Sequence, residues 1–182
     1  MSNPLVRPAT PNDAVAIAGV HTETWKATYA SMIPEHVLAQ FTDQARRESY
    51  WREQLTRETQ AGEIRTWAAL DAAGQIAGLA AAGPAHRPAD APEAVATYAG
   101  EIYAVYVQPR AQGQGLGTAL MRAAAAGLRA RGLSGLIVWC LETNLRARGF
   151  YERLGGQFIA RHEVEMAGAL LDEVSYGWQH FA

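Results

Sequence analysis

The sequence predicts a single α/β domain over residues 1–182, with a mixed sheet organised around one β–loop–α–β–α unit. Three stretches carry that prediction. Glu101-Ile-Tyr-Ala-Val-Tyr-Val107 is β-branched and aromatic, and it runs through a loop with glycines at 113, 115 and 117 into a long Ala/Leu helix. Residues 64–70 and 75–82 read as strands on either side of Asp71-Ala-Ala-Gly74, a hairpin turn. Residues 157–166 and 171–178 read as two closing strands around Ala167-Gly168-Ala169.

The remaining elements follow in chain order. Val6-Arg7-Pro8 is a short strand, and Pro11-Asn12-Asp13 starts a helix on which Val15, Ile17, Val20, Trp25 and Tyr29 keep roughly helical spacing. Ile33-Pro34-Glu35 breaks it, and a second helical region spans 34–57 in one or two pieces. Residues 83–96, with Pro84, Pro88 and Pro92, form a loop. A strand over 97–107 follows, and its core, 102–107, is apolar on both faces as a central strand would be. Leu116, Leu120, Ala124 and Leu128 form the buried stripe of the next helix, with Arg129 and Arg131 in its last turn and Gly132 at its end. Residues 135–141 form a strand and 144–154 a helix closed by Gly155-Gly156.

Composition narrows the function classes. Sixteen basic residues against eighteen acidic ones give a formal net charge of −2, which argues against a nucleic-acid partner. A single cysteine, Cys140, excludes an intramolecular disulfide and a multi-cysteine zinc site. Met1-Ser-Asn-Pro-Leu-Val-Arg7 lacks a signal peptide's apolar core, and no apolar run reaches membrane-spanning length, so a cytoplasmic location and no membrane partner are expected.

The glycine loop is the strongest chemical signal. Glycines let backbone N–H groups crowd around an anion, and a helix N-terminus adds partial positive charge, so the loop reads as a diphosphate cradle. A P-loop would need a Lys-Ser/Thr pair after the last glycine, but Thr118-Ala119 follows Gly117. A dinucleotide fingerprint starting at Gly113 would need glycine or alanine where Thr118 stands. The run Gln112-Gly113-Gln114-Gly115-Leu116-Gly117 instead fits Gln/Arg-x-x-Gly-x-Gly/Ala. Here the chain resembles the GNAT superfamily of acyl-CoA-dependent N-acyltransferases, whose loop binds the cofactor pyrophosphate through backbone amides.

A second segment supports the resemblance. Asn144-Leu-Arg-Ala147-Arg-Gly-Phe150-Tyr151-Glu-Arg-Leu154-Gly155 is similar to that family's Asn-x-x-Ala-x-x-Phe-Tyr-x-x-Leu-Gly. Asn144 and Tyr151 stand just under two helical turns apart and so share one face, with Ala147 leaving room for a ligand arm; the same residues also fit an N-cap and a half-buried core ring. The early His21-Thr-Glu-Thr-Trp25-Lys-Ala-Thr-Tyr29 with Ile33-Pro34 and the closing hairpin to Trp178 also resemble family members. One departure is Gly156, where the family usually places an aromatic residue, with Phe158 nearby.

The resemblance implies a mixed, mostly antiparallel central sheet of about six to seven strands with helices on both faces. It implies an N-acetyltransferase that moves the acetyl group of acetyl-CoA to a primary amine by direct transfer, without a metal. The cofactor arm would pair with Val105, Tyr106 and Val107, where two central strands splay. Gln112, Gly113, Gln114, Gly115, Leu116, Gly117 and Thr118 would hold the diphosphate, and Asn144, Ala147 and Tyr151 would line the arm. Tyr151, with an ordinary pKa near 10, is the candidate acid for the departing thiolate. Glu101 is the candidate base, directly or through water, although a solvated strand-end glutamate fits the same position. Tyr103 would line the acceptor pocket or the core.

A small-molecule amine is the expected partner, with a homodimer through the last strands as a possibility. A non-catalytic acyl-CoA-binding module and a protein N-terminal or lysine acetyltransferase remain the alternatives. His21, Glu23 and His36 could reach the acceptor pocket from the first helices but fit the surface better; His162 with Glu163 and Glu165 could suggest a metal site but fits a solvated strand face better; Cys140 is expected in packing. Glu23, Glu35 and Asp43 would suit a cationic polyamine or aminoglycoside, and they are equally ordinary on helix surfaces.

Overall fold

Seven strands form one sheet in the computed structural model, which describes residues 4–87 and 92–181. Residues 1–3, residues 88–91 with Pro88, and Ala182 lie outside the described residues. The strands are β1 (Leu5–Pro8), β2 (Arg65–Leu70), β3 (Ile76–Pro84), β4 (Gly100–Val107), β5 (Leu136–Leu141), β6 (Gln157–Met166) and β7 (Ala169–Trp178). Their spatial order is β1-β2-β3-β4-β5-β7-β6, and every pairing is antiparallel except β4 with β5. The mixed, mostly antiparallel sheet expected from the sequence is therefore present.

Five helices, α1 (Ala14–Tyr29), α2 (Glu35–Thr42), α3 (Gln44–Ala61), α4 (Leu116–Ala130) and α5 (Leu145–Arg153), cover the described sheet. Alternation along β3 divides the core between them. Leu79 and Ala81 pack with Ile17, Val20, Trp51 and Leu55 of α1 and α3, while Ala80 and Ala82 pack with Leu120 and Ala124 of α4. The stripe Leu116, Leu120, Ala124 and Leu128 is buried as its spacing predicts. Helix α4 lies so close to β2 that a Cβ on Gly127 would fall 2.4 Å from Trp67 Cζ2.

Several boundaries differ from expectation for local reasons. The helical region after Ile33 takes the two-piece form, because Asp43 is extended and N-caps α3, its Oδ1 accepting from Arg46 N (2.9 Å), and it runs past residue 57 to Ala61. Val15 is exposed, since the buried stripe of α1 runs through Ala14, Ile17, Ala18 and His21. Strand β3 continues through Gly83 and Pro84, and β4 starts only at Gly100 because Glu93–Thr97 coils into a 3-10 turn. The β6–β7 hairpin closes on Ala167 (φ +51°) and Gly168 (φ +82°), both left-handed as a two-residue hairpin turn requires. The room an aromatic residue would take at Gly156 belongs to Trp178, whose Cζ2 would lie 2.5 Å from a Cβ there.

One difference positions the site. Strand β4 is buried only at Gly100, Glu101 and Ile102, and residues 103–107 are half-buried or exposed. The cause is the pairing with β5, which covers Gly100↔Leu136, Glu101↔Ile137 and Ile102↔Val138 and then stops. Beyond that point the two central strands part and leave a gap in the sheet.

Candidate active site

The gap exposes backbone as well as side chains. Register against β3 shifts between Ala81↔Ala104 and Ala82↔Ile102, which makes Tyr103 a bulge. Past the bulge, Ala104 and Tyr106 pack on the α1 side and Val105 and Val107 on the α4 side. Gln108 N donates to Ala77 O (2.9 Å), and an antiparallel ladder alternates, so residues 104 and 106 bond to β3 while Val105 and Val107 turn their peptide groups into the gap. The Val107 carbonyl already accepts from Gln112 Nε2 (2.9 Å). Val105 thus offers both peptide groups and Val107 its N–H, whereas Tyr106 contributes its ring.

At one end of the gap lies the glycine loop. Gly113 (φ +77°) and Gly115 (φ +83°) are left-handed, a conformation that glycine takes at no steric cost. Among the described residues no hydrogen bond engages the backbone N–H groups of 113–118, which face the start of α4 as free donors. This donor set fits a diphosphate. Gly113, Gly115, Gly117 and Thr118 line the cleft; Leu116 is buried in the core, and the Gln114 side chain turns back to Arg110 O (3.1 Å), so those two offer backbone only.

Helix α5 forms the wall facing the loop. Asn144 N-caps it, Oδ1 accepting from Ala147 N (3.1 Å), and Asn144, Ala147 and Tyr151 all line the cleft. The cap and core roles foreseen as alternatives therefore coexist with a place on the cleft wall. Arg148 lies off that wall, its guanidinium reaching Tyr176 Oη (3.2 Å) and Glu142 O (3.0 Å). Burial pushes the Tyr151 hydroxyl well above its ordinary value, with Cys140, Tyr29 and Tyr106 adding to the shift. The thiol of Cys140 is likewise pushed up, to about 12, as packing rather than nucleophilic duty would have it.

The other face of the gap carries carboxylates. Glu101 is 9% exposed, and its Oε2 accepts from His86 N (2.8 Å), which turns it off the cavity wall. Burial pushes its carboxyl up to about 7; the His86 bond opposes the shift and the neighbouring Glu173 adds to it. Glu173 does line the cavity, paired across the ladder with Leu141 on one side and His162 on the other. Burial raises its carboxyl too, against the pull of His162. Tyr103 also lines the cavity and donates its hydroxyl to the Pro84 carbonyl.

Sequence reasoning passed over Glu173, because a lone glutamate in an alternating strand carries no local signal. It also misplaced two histidines. His21 is buried, stacked on Trp25 at 5.4 Å, with Nδ1 accepting from Trp51 Nε1 (3.4 Å), and burial pushes it down to about 3. His162 is no solvated strand residue either: its ring packs on Trp139 at 4.3 Å. Glu23, Glu35, His36 and Asp43 are exposed and lie off the main cavity.

One cavity of about 640 Å³ joins the glycine loop, the parted strands and the α5 wall, from Gly113 through Val105 and Tyr151 to Glu173. The sequence profile of the Acetyltransferase (GNAT) family matches residues 25–156. The chain belongs to the GNAT acetyltransferase family. It is 31% identical to the uncharacterized N-acetyltransferase YuaI of Bacillus subtilis over 173 residues, 95% of this chain and 91% of that protein. Its fold matches a GCN5-related N-acetyltransferase from Rhodopseudomonas palustris with a TM-score of 0.74 at 23% identity, covering 99% and 98% of the two chains. It also matches the PaiA N-acetyltransferase of Thermoplasma acidophilum, solved in complex with coenzyme A, with a TM-score of 0.71 at 17% identity, covering 95% and 98%. This GNAT chain is thus an N-acetyltransferase of a family that uses acyl-CoA. Among its described residues no helix is long and apolar enough to cross a membrane.

Proposed function

We propose that the enzyme transfers the acetyl group of acetyl-CoA directly to the primary amine of a small molecule, with both held in the cleft at once. The observation that carries this is one cavity that runs from the glycine loop through the β4–β5 gap to Glu173. Acetyl-CoA would supply an acetyl group activated as a thioester. The amides of 113–118 and the N-terminus of α4 would hold its diphosphate, and the outward peptide groups of Val105 and Val107 would hold its arm.

Glu101 would take the amine's proton through a water, since its carboxylate stands off the cavity wall. Held up at about 7, it changes protonation where a cytoplasmic enzyme works. Tyr151 keeps its proton across the neutral range, because burial raises it, and its place on the wall suits giving that proton to the departing sulfur. The apolar side chains of Trp25, Ile33 and Met166, packed in one cluster, line the cavity, which supports a small acceptor. Isothermal titration with acetyl-CoA tests the proposal first, with micromolar binding expected; free-thiol release across an amine library tests transfer. No binding, or binding without thiol release from any amine, would refute it.

A further inference from the structure

Charge is divided unevenly along the cavity. Its cationic wall residues, Arg146 and Arg153, flank Phe150 on α5, and the Phe150 ring meets α4 at Gly117, where Cζ would lie 3.2 Å from a Cβ. The acidic wall residue is Glu173 on β7, and Trp25, Tyr29, Trp139 and Met166 line the same cavity. Its Oε2 lies 3.6 Å from His162 Nε2, a buried nitrogen with no hydrogen-bond partner among the described residues. Thr24, on the same α1 wall as Trp25, is 6% exposed and lines the cavity, and its hydroxyl has no hydrogen-bond partner among the described residues.

These groups ask for a cation. The Glu173 side chain is half-buried, 19% exposed, and a partly desolvated carboxylate gains from a close partner, which His162 at 3.6 Å is not. An ammonium would complete the pairing at Glu173, and the idle Thr24 hydroxyl on the wall of the same cavity offers a further acceptor. A second anion beside Glu173 would instead be repelled by it.

We infer that the acceptor is an amine entering as a cation on an apolar alkyl or aryl shaft, with Glu173 as its counter-charge and Thr24 as its hydrogen-bond acceptor, and that amines bearing a carboxylate are rejected. This rests on the transfer reaction proposed above. Two matched pairs isolate the charge: phenethylamine against phenylalanine, and pentylamine against norleucine, each pair differing by one carboxylate. With acetyl-CoA and thiol release as the readout, kcat/KM should be about tenfold or more higher for the member without the carboxylate. Glu173→Gln should bring that ratio below about threefold while acetyl-CoA affinity, measured by titration, stays unchanged. Thr24→Val, the milder change, should raise KM for the simple amine severalfold.

Equal or better use of the amino acids, use of none of the four, or an unchanged ratio in Glu173→Gln with cofactor binding intact would overturn the inference. If the wild-type protein fails to bind acetyl-CoA, the transfer reaction falls and the acceptor class with it. If it binds and prefers the amino acids, the acceptor class alone falls.

Discussion

The two ends of the cleft are made of different material. At the glycine loop the wall is mostly backbone: free N–H groups of 113–118, left-handed Gly113 and Gly115, and outward peptide groups at Val105 and Val107. Away from the loop the wall is side chains, with Trp25 and Tyr29 from α1, Trp139 from β5 and Glu173 from β7. A backbone-built wall fits what every acyl-CoA shares, a diphosphate and an amide-bearing arm. A side-chain-built site can differ from one chain to the next without disturbing the fold, which places specificity at that end.

If the two halves are separable, changes in one should leave the other's constants alone. The largest expected effect is at Glu101. Glu101→Gln should lower kcat about a hundredfold or more while acetyl-CoA affinity measured by titration stays the same. A base must be ionised to act, so with its carboxyl raised to about 7, wild-type kcat/KM should climb as pH rises through about 7 and fall below it. Glu101→Gln should flatten that limb. Weaker acetyl-CoA binding in the variant would show instead that the two halves are coupled.

A smaller effect is expected from the loop. Gly115→Val forces a β-branched residue to φ +83°, and the left-handed conformation costs about 1–2 kcal/mol in a non-glycine residue. Acetyl-CoA affinity should fall about tenfold by titration, while kcat at saturating cofactor stays close to wild type. The smallest effect concerns Tyr151, which touches both halves. Tyr151→Phe should lower kcat by up to about tenfold without changing acetyl-CoA affinity, and unchanged turnover would remove its role as acid.

These contrasts also explain what could be read in advance. The loop was legible because its requirement is local: glycines at fixed spacing before a helix state their backbone geometry directly. Asn144, Ala147 and Tyr151 were legible for a similar reason, since helical periodicity places them on one wall. Glu101 was legible as a residue near the gap, but its attachment to His86 N depends on how residues after β3 fold back over the sheet. Glu173 and His162 were not legible, because each is one charged position in an alternating strand. Only the pairing of β7 with both β5 and β6 sets Glu173 between Leu141 and His162.

The sequence by itself determined the strand–loop–helix that fits a diphosphate, the stripe that buries α4, the helix that walls the cleft and the family to which these belong. All of these follow from preferences expressed within a few residues: left-handed glycine, helical spacing, β-branched runs. The tertiary structure alone decided that β4 and β5 part after Ile102↔Val138, that the Glu101 carboxyl is raised, that His21 is core, and that Glu173 faces the cavity. The physical reason is that burial and charge environment belong to groups brought together by strand register across the whole chain, and no short window of residues contains that register.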